Sequence, residues 1–261
     1  MFYSIKSLLD TMKKITRYYK KLVFYFKKKI DIDSQKLNTT SLDEIFTFYG
    51  TDKATRVKNQ YDKNSKLIVG HGYSKFYEKH FFSLKNAKFN LLEIGTWYGA
   101  SSASFVKYFN SAQIFGIDRN FKFKYKSKRL KFIHCDLTRA EDLKKLERKI
   151  YGKNFRIIIE DGSHILSHII KNLLFFLKYL QNGGFFVVED FNAPKNHNYL
   201  NDCGNNELFF DEILTNIKNK KYFKSNILSE AQQKYIFENI ETIEIYKGKS
   251  HESDIAFLKK K

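Results

Sequence analysis

The chain has 261 residues, 43% of them hydrophobic and 17% aromatic, with 47 Lys and Arg against 28 Asp and Glu for a formal charge of +19. So large an apolar supply excludes a disordered polycation and suits one large α/β domain with appendages. Two cysteines, Cys135 and Cys203, make no disulfide scaffold. No run approaches the roughly 20 apolar residues of a spanning helix, and no signal-peptide pattern opens the chain, so a reducing cytoplasm is the expected setting.

Residues 1–40 read as a basic amphipathic helical extension. The first thirty carry nine basic side chains against one acid, Asp10, while Ile5, Leu8, Met12, Ile15, Tyr19, Leu22 and Phe26 recur at helical spacing. Such a helix can pack on its own core, pack on a second subunit in a homo-oligomer, or lie on an anionic membrane surface at the cytoplasmic face. Packing is the commoner use. Residues 41–88 read as a helical cap with two glycine-bearing segments, Tyr49-Gly50-Thr51-Asp52-Lys53 and His71-Gly72-Tyr73-Ser74-Lys75-Phe76-Tyr77, which look like loops capping an active site.

From residue 89 to 261 the texture changes. Asn90 to Ile94, Gln113 to Ile117, Phe132 to Cys135, Ile157 to Glu160 and Phe185 to Val188 are short apolar runs expected to be buried strands. Helical stretches at Ala100 to Tyr108, Arg139 to Ile150 and Ile165 to Leu180 alternate with them, which predicts a doubly wound α/β fold with a parallel sheet. Glu241 to Tyr246 and Asp254 to Leu258 are expected to pair as an antiparallel hairpin at one end.

In such a sheet the ligand sits beyond the carboxyl ends of the strands. The first ends in Glu93-Ile94-Gly95-Thr96-Trp97-Tyr98-Gly99-Ala100-Ser101, whose G-x-x-x-G spacing lacks the extra glycine of a dinucleotide fingerprint. A carboxylate at this turn, Glu93, suits a sulfonium or ammonium ligand better than a phosphate, and S-adenosylmethionine is one such ligand. Asp118, followed by Arg119, stands where a carboxylate can accept ribose hydroxyls, and Asp136-Leu137 offer a polar partner and an apolar wall to a purine.

After the fourth strand come Asp161-Gly162-Ser163-His164 and then His168, and after the fifth Glu189-Asp190. Three carboxylates on one rim repel unless a cation or protons neutralise them, and all-oxygen ligation without cysteine favours Mg²⁺ or Mn²⁺. The alternative is that these acids only cap helices. His164 is the candidate general base and His168 the alternative.

These residues resemble the class I methyltransferases, a resemblance running from about Tyr49 to the C-terminus. It implies a Rossmann-like, mostly parallel seven-stranded sheet with a reversed last strand, and a cofactor site of Glu93, Gly95, Tyr98, Gly99, Ser101, Asp118, Arg119, Asp136 and Leu137. Tyr-Gly-Thr-Asp-Lys, His-Gly-Tyr, Asp-Gly-Ser-His and the Glu-Asp pair together look like the metal-dependent sugar O-methyltransferases of macrolide biosynthesis, of mycinamicin and tylosin type. That resemblance implies metal ligation by Asp161, Glu189 and Asp190, with His164 as base. The N-terminal helix and Asn192 to Asn206 have no counterpart in it. The basic surface favours a nucleotide-linked hexose or heptose, or a capsular polysaccharide precursor, as acceptor over a natural-product glycoside. The scattered lysines form no nucleic-acid reader motif, so an RNA partner is not expected.

Overall fold

The computed structural model describes residues 2–58, 67–250 and 253–261. Residues 59–66, inside the expected cap segment, and 251–252 lie outside the described residues.

In chain order the elements open with helix α1 (Phe2–Phe26), strand β1 (Ile30–Asp31), helix α2 (Leu42–Tyr49), strands β2 (Arg56–Lys58) and β3 (Leu67–Val69) and helix α3 (Ser74–Phe81). Then come β4 (Asn90–Ile94), α4 (Ala100–Tyr108), β5 (Gln113–Asp118), β6 (Tyr125–Lys126), β7 (Leu130–His134), α5 (Ala140–Ile150), β8 (Phe155–Glu160), α6 (Leu166–Leu177) and β9 (Leu180–Glu189). The last elements are α7 (Ala193–Asn196), α8 (Phe210–Asn219), α9 (Glu230–Asn239), β10 (Ile240–Lys247) and β11 (Asp254–Lys260).

Seven strands form one sheet in the order β10-β11-β9-β8-β4-β5-β7. Strands β9, β8, β4, β5 and β7 run parallel, and β11 joins β9 antiparallel, with β10 outside it. The mostly parallel seven-stranded sheet expected from the sequence is therefore present. Both faces are buried because alternate residues of each strand point to opposite sides. Leu92, Ile94 and Ile158 pack with α5, α6, α8 and α9, whereas Leu91, Ile157 and Ile159 pack with α2, α3 and α4.

Some boundaries differ from the sequence reading, for local reasons. Helix α6 stops at Leu177 rather than Leu180, because Tyr179 gives its carbonyl to Phe155 and Leu180 pairs with that residue across the sheet. Strand β9 begins at Leu180, five residues before the expected start, and bends at Gly183 (φ 70) where its register with β8 shifts. Strand β7 ends at His134, one residue early.

Helix α2 ends where Gly50 turns left-handed (φ 76) and its N–H reaches Phe46 and Thr47 carbonyls at 2.9 and 3.2 Å. This reversal sends Thr51, Asp52 and Lys53 across the carboxyl ends of the strands. Tyr73 N–H bonds the Lys53 carbonyl at 2.9 Å and His71 N–H the Asp52 carbonyl at 2.7 Å, tying the two glycine-bearing segments together.

Candidate active site

A cavity of about 750 Å³ opens at the carboxyl ends of β4, β5, β7 and β8. Gly95, Tyr98, Ser101, Asp118, Arg119, Asp136 and Leu137 line it, with Asp161 to His164 on one side and Gly50 to Asp52 above. Gly95 (φ 85) is where the loop after β4 crosses the loop after β8, and a Cβ there would overlap the Asp161 carbonyl oxygen.

The Asp118 carboxylate is fixed by two backbone donors, Trp97 N–H at 2.8 Å to Oδ2 and Asn120 N–H at 2.6 Å to Oδ1. Each oxygen keeps a second lone pair for a ligand. Asp136 uses Oδ1 to hold Thr138 through its N–H at 3.1 Å and its hydroxyl at 2.7 Å.

Glu93 and Gly99 are not among the cavity's lining residues. Glu93 is 0% exposed and accepts hydrogen bonds from the Ser101 and Ser102 hydroxyls beneath the start of α4, so the Ser101 hydroxyl points at Glu93. Burial raises its carboxyl above the ordinary value against the pull of Lys53 and the two serines. A Cβ at Gly99 (φ 87) would strike the Phe123 ring.

Asp161, Glu189 and Asp190 lie at adjacent strand ends, as their positions after β8 and β9 require. They do not form one open triad. Lys53, 1% exposed, donates to Asp161 and, at 2.6 Å, to Glu189 Oε2. The Tyr77 hydroxyl donates to Glu189 Oε1. Both Glu189 oxygens are thereby engaged. Burial alone disfavours the Lys53 ammonium, but Asp161, Glu189 and Glu93 outweigh it and raise its pKa well above the ordinary value. Burial also drives the Glu189 carboxyl well up, with Asp161 and Asp190 adding to the rise and Lys53 opposing it.

The open part of the cluster consists of Asp161, His164 and Asp190, which each present a ligand atom within 4.8 Å of the others. His164 Nε2 lies 3.8 Å from Asp161 Oδ1. His164 Nδ1 is buried without a hydrogen-bond partner among the described residues. His164 (φ 55) and Asp190 (φ 50) are both left-handed, a conformation that is uncommon outside glycine and concentrates at functional sites. The Tyr73 hydroxyl donates to Asp190 Oδ1 at 2.5 Å, and His71 Nδ1 stands 3.5 Å from the same oxygen. Burial opposes protonation of His71, but Asp52, Asp190 and Glu189 raise its pKa to about 9. His168 also lines the cavity, with Nδ1 2.7 Å from the Ser163 hydroxyl.

These donors fit a divalent cation. Ligand atoms about 2.1 Å from Mg²⁺ stand about 3 to 4 Å apart, so a cluster spread over at most 4.8 Å needs little closure. The two carboxylates, Asp161 and Asp190, are the oxygen donors that suit Mg²⁺ or Mn²⁺, and the orphaned nitrogen of His164 beside them marks a place where a further group belongs. Sequence reasoning missed Lys53, His71, Tyr73 and Tyr77 as partners of the acids. The one signal available was their place in the two capping segments.

No family model matches the chain. Over 127 residues, 46% of this chain and 31% of the relative, it is 32% identical to mycinamicin VI 2''-O-methyltransferase of Micromonospora griseorubida. It is 28% identical over 127 residues, 46% of the chain and 33% of the relative, to the 8-demethyl-8-alpha-L-rhamnosyl tetracenomycin-C 2'-O-methyltransferase of Streptomyces olivaceus. The matched segment spans about a third of the length of these curated relatives. Among solved structures, the mycinamicin-pathway methyltransferase MycE in complex with Mg, SAH and mycinamycin VI superposes with a TM-score of 0.63 at 24% identity, over 84% of this chain and 54% of that one. The chain thus has the class I methyltransferase fold, and these curated relatives are O-methyltransferases, one of them named for a rhamnosyl tetracenomycin.

Proposed function

We propose that the chain is an S-adenosylmethionine- and divalent-metal-dependent O-methyltransferase whose acceptor is a sugar hydroxyl on a small-molecule glycoside. The observation that carries this reading is that Asp161 and His164 belong at once to the cavity and to the cluster they form with Asp190. One space for a cofactor and one for a cation therefore share two side chains. The named relatives act on glycosides, one of them rhamnosyl, so a glycosidic sugar is preferred to the nucleotide-linked or capsular precursor expected from charge.

In this reading Asp118 holds the ribose hydroxyls of the methyl donor, Asp136 and Leu137 border its purine, and the turn at Gly95 brings backbone against it. Asp161 and Asp190 would hold the metal, while Glu189 has both oxygens already bonded to Lys53 and Tyr77. A divalent cation held there would supply positive charge that makes an acceptor hydroxyl more acidic. His164 would accept the acceptor's proton as its oxygen bonds the methyl carbon and the methyl's bond to the sulfonium sulfur breaks, leaving S-adenosylhomocysteine. Tyr73 and His71 fix Asp190, and Lys53 fixes Asp161.

The test is to incubate the chain with S-adenosylmethionine, Mn²⁺ and two acceptor panels, glycosides and nucleoside diphosphate sugars, and to weigh products for the gain of one methylene. Turnover is expected with the glycosides and should vanish in excess EDTA. His164→Gln is expected to lower turnover by about 10²- to 10⁴-fold while Mn²⁺ binding persists. Undiminished turnover in EDTA refutes the metal's role, and loss of Mn²⁺ binding in His164→Gln makes that residue a ligand instead of a base.

A further inference from the structure

Helix α1 leaves an apolar stripe without cover. Met12, Ile15, Tyr19, Leu22 and Phe26 recur every three or four residues, are between 41% and 87% exposed, and are flanked by exposed Tyr18, Val23 and Tyr25. Among the described side chains of α1 only Phe24 is buried. Its ring meets Phe121 at 5.6 Å and Phe132 at 5.3 Å, with Lys29 Nζ 3.3 Å above it. Lys29 also donates to the Phe123 carbonyl at 2.7 Å, and β1 pairs with β6. The helix is thus anchored to the domain at its C-terminal end, on a side chain outside the stripe.

Charge decides what covers the stripe. Lys6, Lys13, Lys14, Arg17, Lys20, Lys21, Lys27, Lys28 and Lys29 stand against Asp10 alone within the first thirty residues. A second copy of α1 would bring the same positive charge with only Asp10 to meet it, whereas anionic headgroups complement it. Tyrosines beside Leu, Ile and Phe, with lysines between, are the composition of a helix lying in a membrane interface. No helix among the described residues is long and apolar enough to cross a membrane, so α1 would lie on the surface. We propose that α1 binds the surface of an anionic lipid bilayer, immersing the Met12–Phe26 stripe and holding the domain at the membrane. The proposal is independent of the catalytic reading.

The test is co-sedimentation of the full chain with phosphatidylcholine vesicles containing none or about 30 mol% phosphatidylglycerol, at low and high salt. Binding to the anionic vesicles is expected to exceed binding to neutral ones by about tenfold or more, and to fall as salt rises. Ile15→Glu with Leu22→Glu should abolish it with an unchanged melting temperature, and Lys20→Glu with Lys21→Glu should weaken it. Inorganic phosphate at matched ionic strength should not compete. Equal sedimentation with both vesicles, or with neither, overturns the proposal. So does a stable dimer in light scattering that the Ile15/Leu22 variant dissociates, which would assign the stripe to a second copy.

Discussion

Lys53→Met tests the arrangement of charge at the site more directly than any change to an acid. Lys53 is 1% exposed and bonded to Asp161 and Glu189, so the variant keeps the side chain's bulk but leaves two carboxylates facing each other, with Asp190 nearby. Removing one partner of a buried pair costs about 3–5 kcal/mol, because the remaining charge is uncompensated. For a chain of this length each kcal/mol lowers the melting temperature by about 2–4 °C, so a drop of about 10 °C is expected. The deficit should depend on pH. The Glu189 and Asp190 carboxyls already sit above their ordinary values of 4.5 and 3.8, and losing the ammonium that opposes the rise at Glu189 moves that carboxyl further up. A raised carboxyl favours the folded state below its unfolded value, an advantage lost as pH rises through the folded value. The deficit should therefore be smallest near pH 4.5 and grow toward neutrality. The stability that Lys53 contributes to the wild type is present below 10.5 and lost only above it. Freeing Glu189 should also tighten Mn²⁺ binding, and Mn²⁺ should restore part of the lost melting temperature. Thermal melts of wild type and variant across pH, in EDTA and then in Mn²⁺, are the assay. A variant that melts within about 1 °C of wild type at neutral pH without metal refutes the role assigned to Lys53.

Two further outcomes follow from the same geometry. Asp118→Ala strips the Trp97 and Asn120 amides of their acceptor and removes the proposed ribose contact, so affinity for S-adenosylhomocysteine by calorimetry should fall about tenfold or more; unchanged affinity would displace the nucleoside from this cavity. His71, raised to about 9 by its acidic neighbours against burial, contributes stability that is complete below 6.5 and declines as pH rises through about 9. His71→Gln should remove that alkaline limb from the melting profile, and a profile that keeps it would place the titration elsewhere.

The central strands were legible because a strand buried on both faces must be apolar almost throughout, as Leu91, Leu92 and Ile94 or Ile157, Ile158 and Ile159 are. Helices α8 and α9 went unread, although Ser229 and Gln232 form a capping box, with the Ser229 N–H reaching the Gln232 side chain at 2.9 Å. The acids at the strand ends could be read because topology places such positions on one rim. Their partners could not. Lys53 meets Asp161 across 108 residues and Glu189 across 136, and no local pattern encodes a contact of that span. The expectation of three carboxylates around a bound cation was silent about Lys53, a cation already present in the chain. Glu93 shows a different limit: it follows the same kind of apolar run, yet it lies beneath the start of α4, where its oxygens accept from the Ser101 and Ser102 hydroxyls and it does not line the cavity.

The site is consequently composite, with its negative charge and its positive charge coming from different parts of the fold. Strands β8 and β9 deliver Asp161, Glu189 and Asp190, while the capping segments return Lys53, His71, Tyr73 and Tyr77 to them. Docking the cap and neutralising the acids are then one event, since an undocked cap would leave all three carboxylates unpaired at the end of the sheet. The division also bears on what the site can take up. Asp161, Glu189 and Asp190, with Asp52 3.7 Å from His71, outnumber the two cationic side chains Lys53 and His71, so a divalent cation beside Asp161 and Asp190 would offset like-charge repulsion that the cap alone leaves in place.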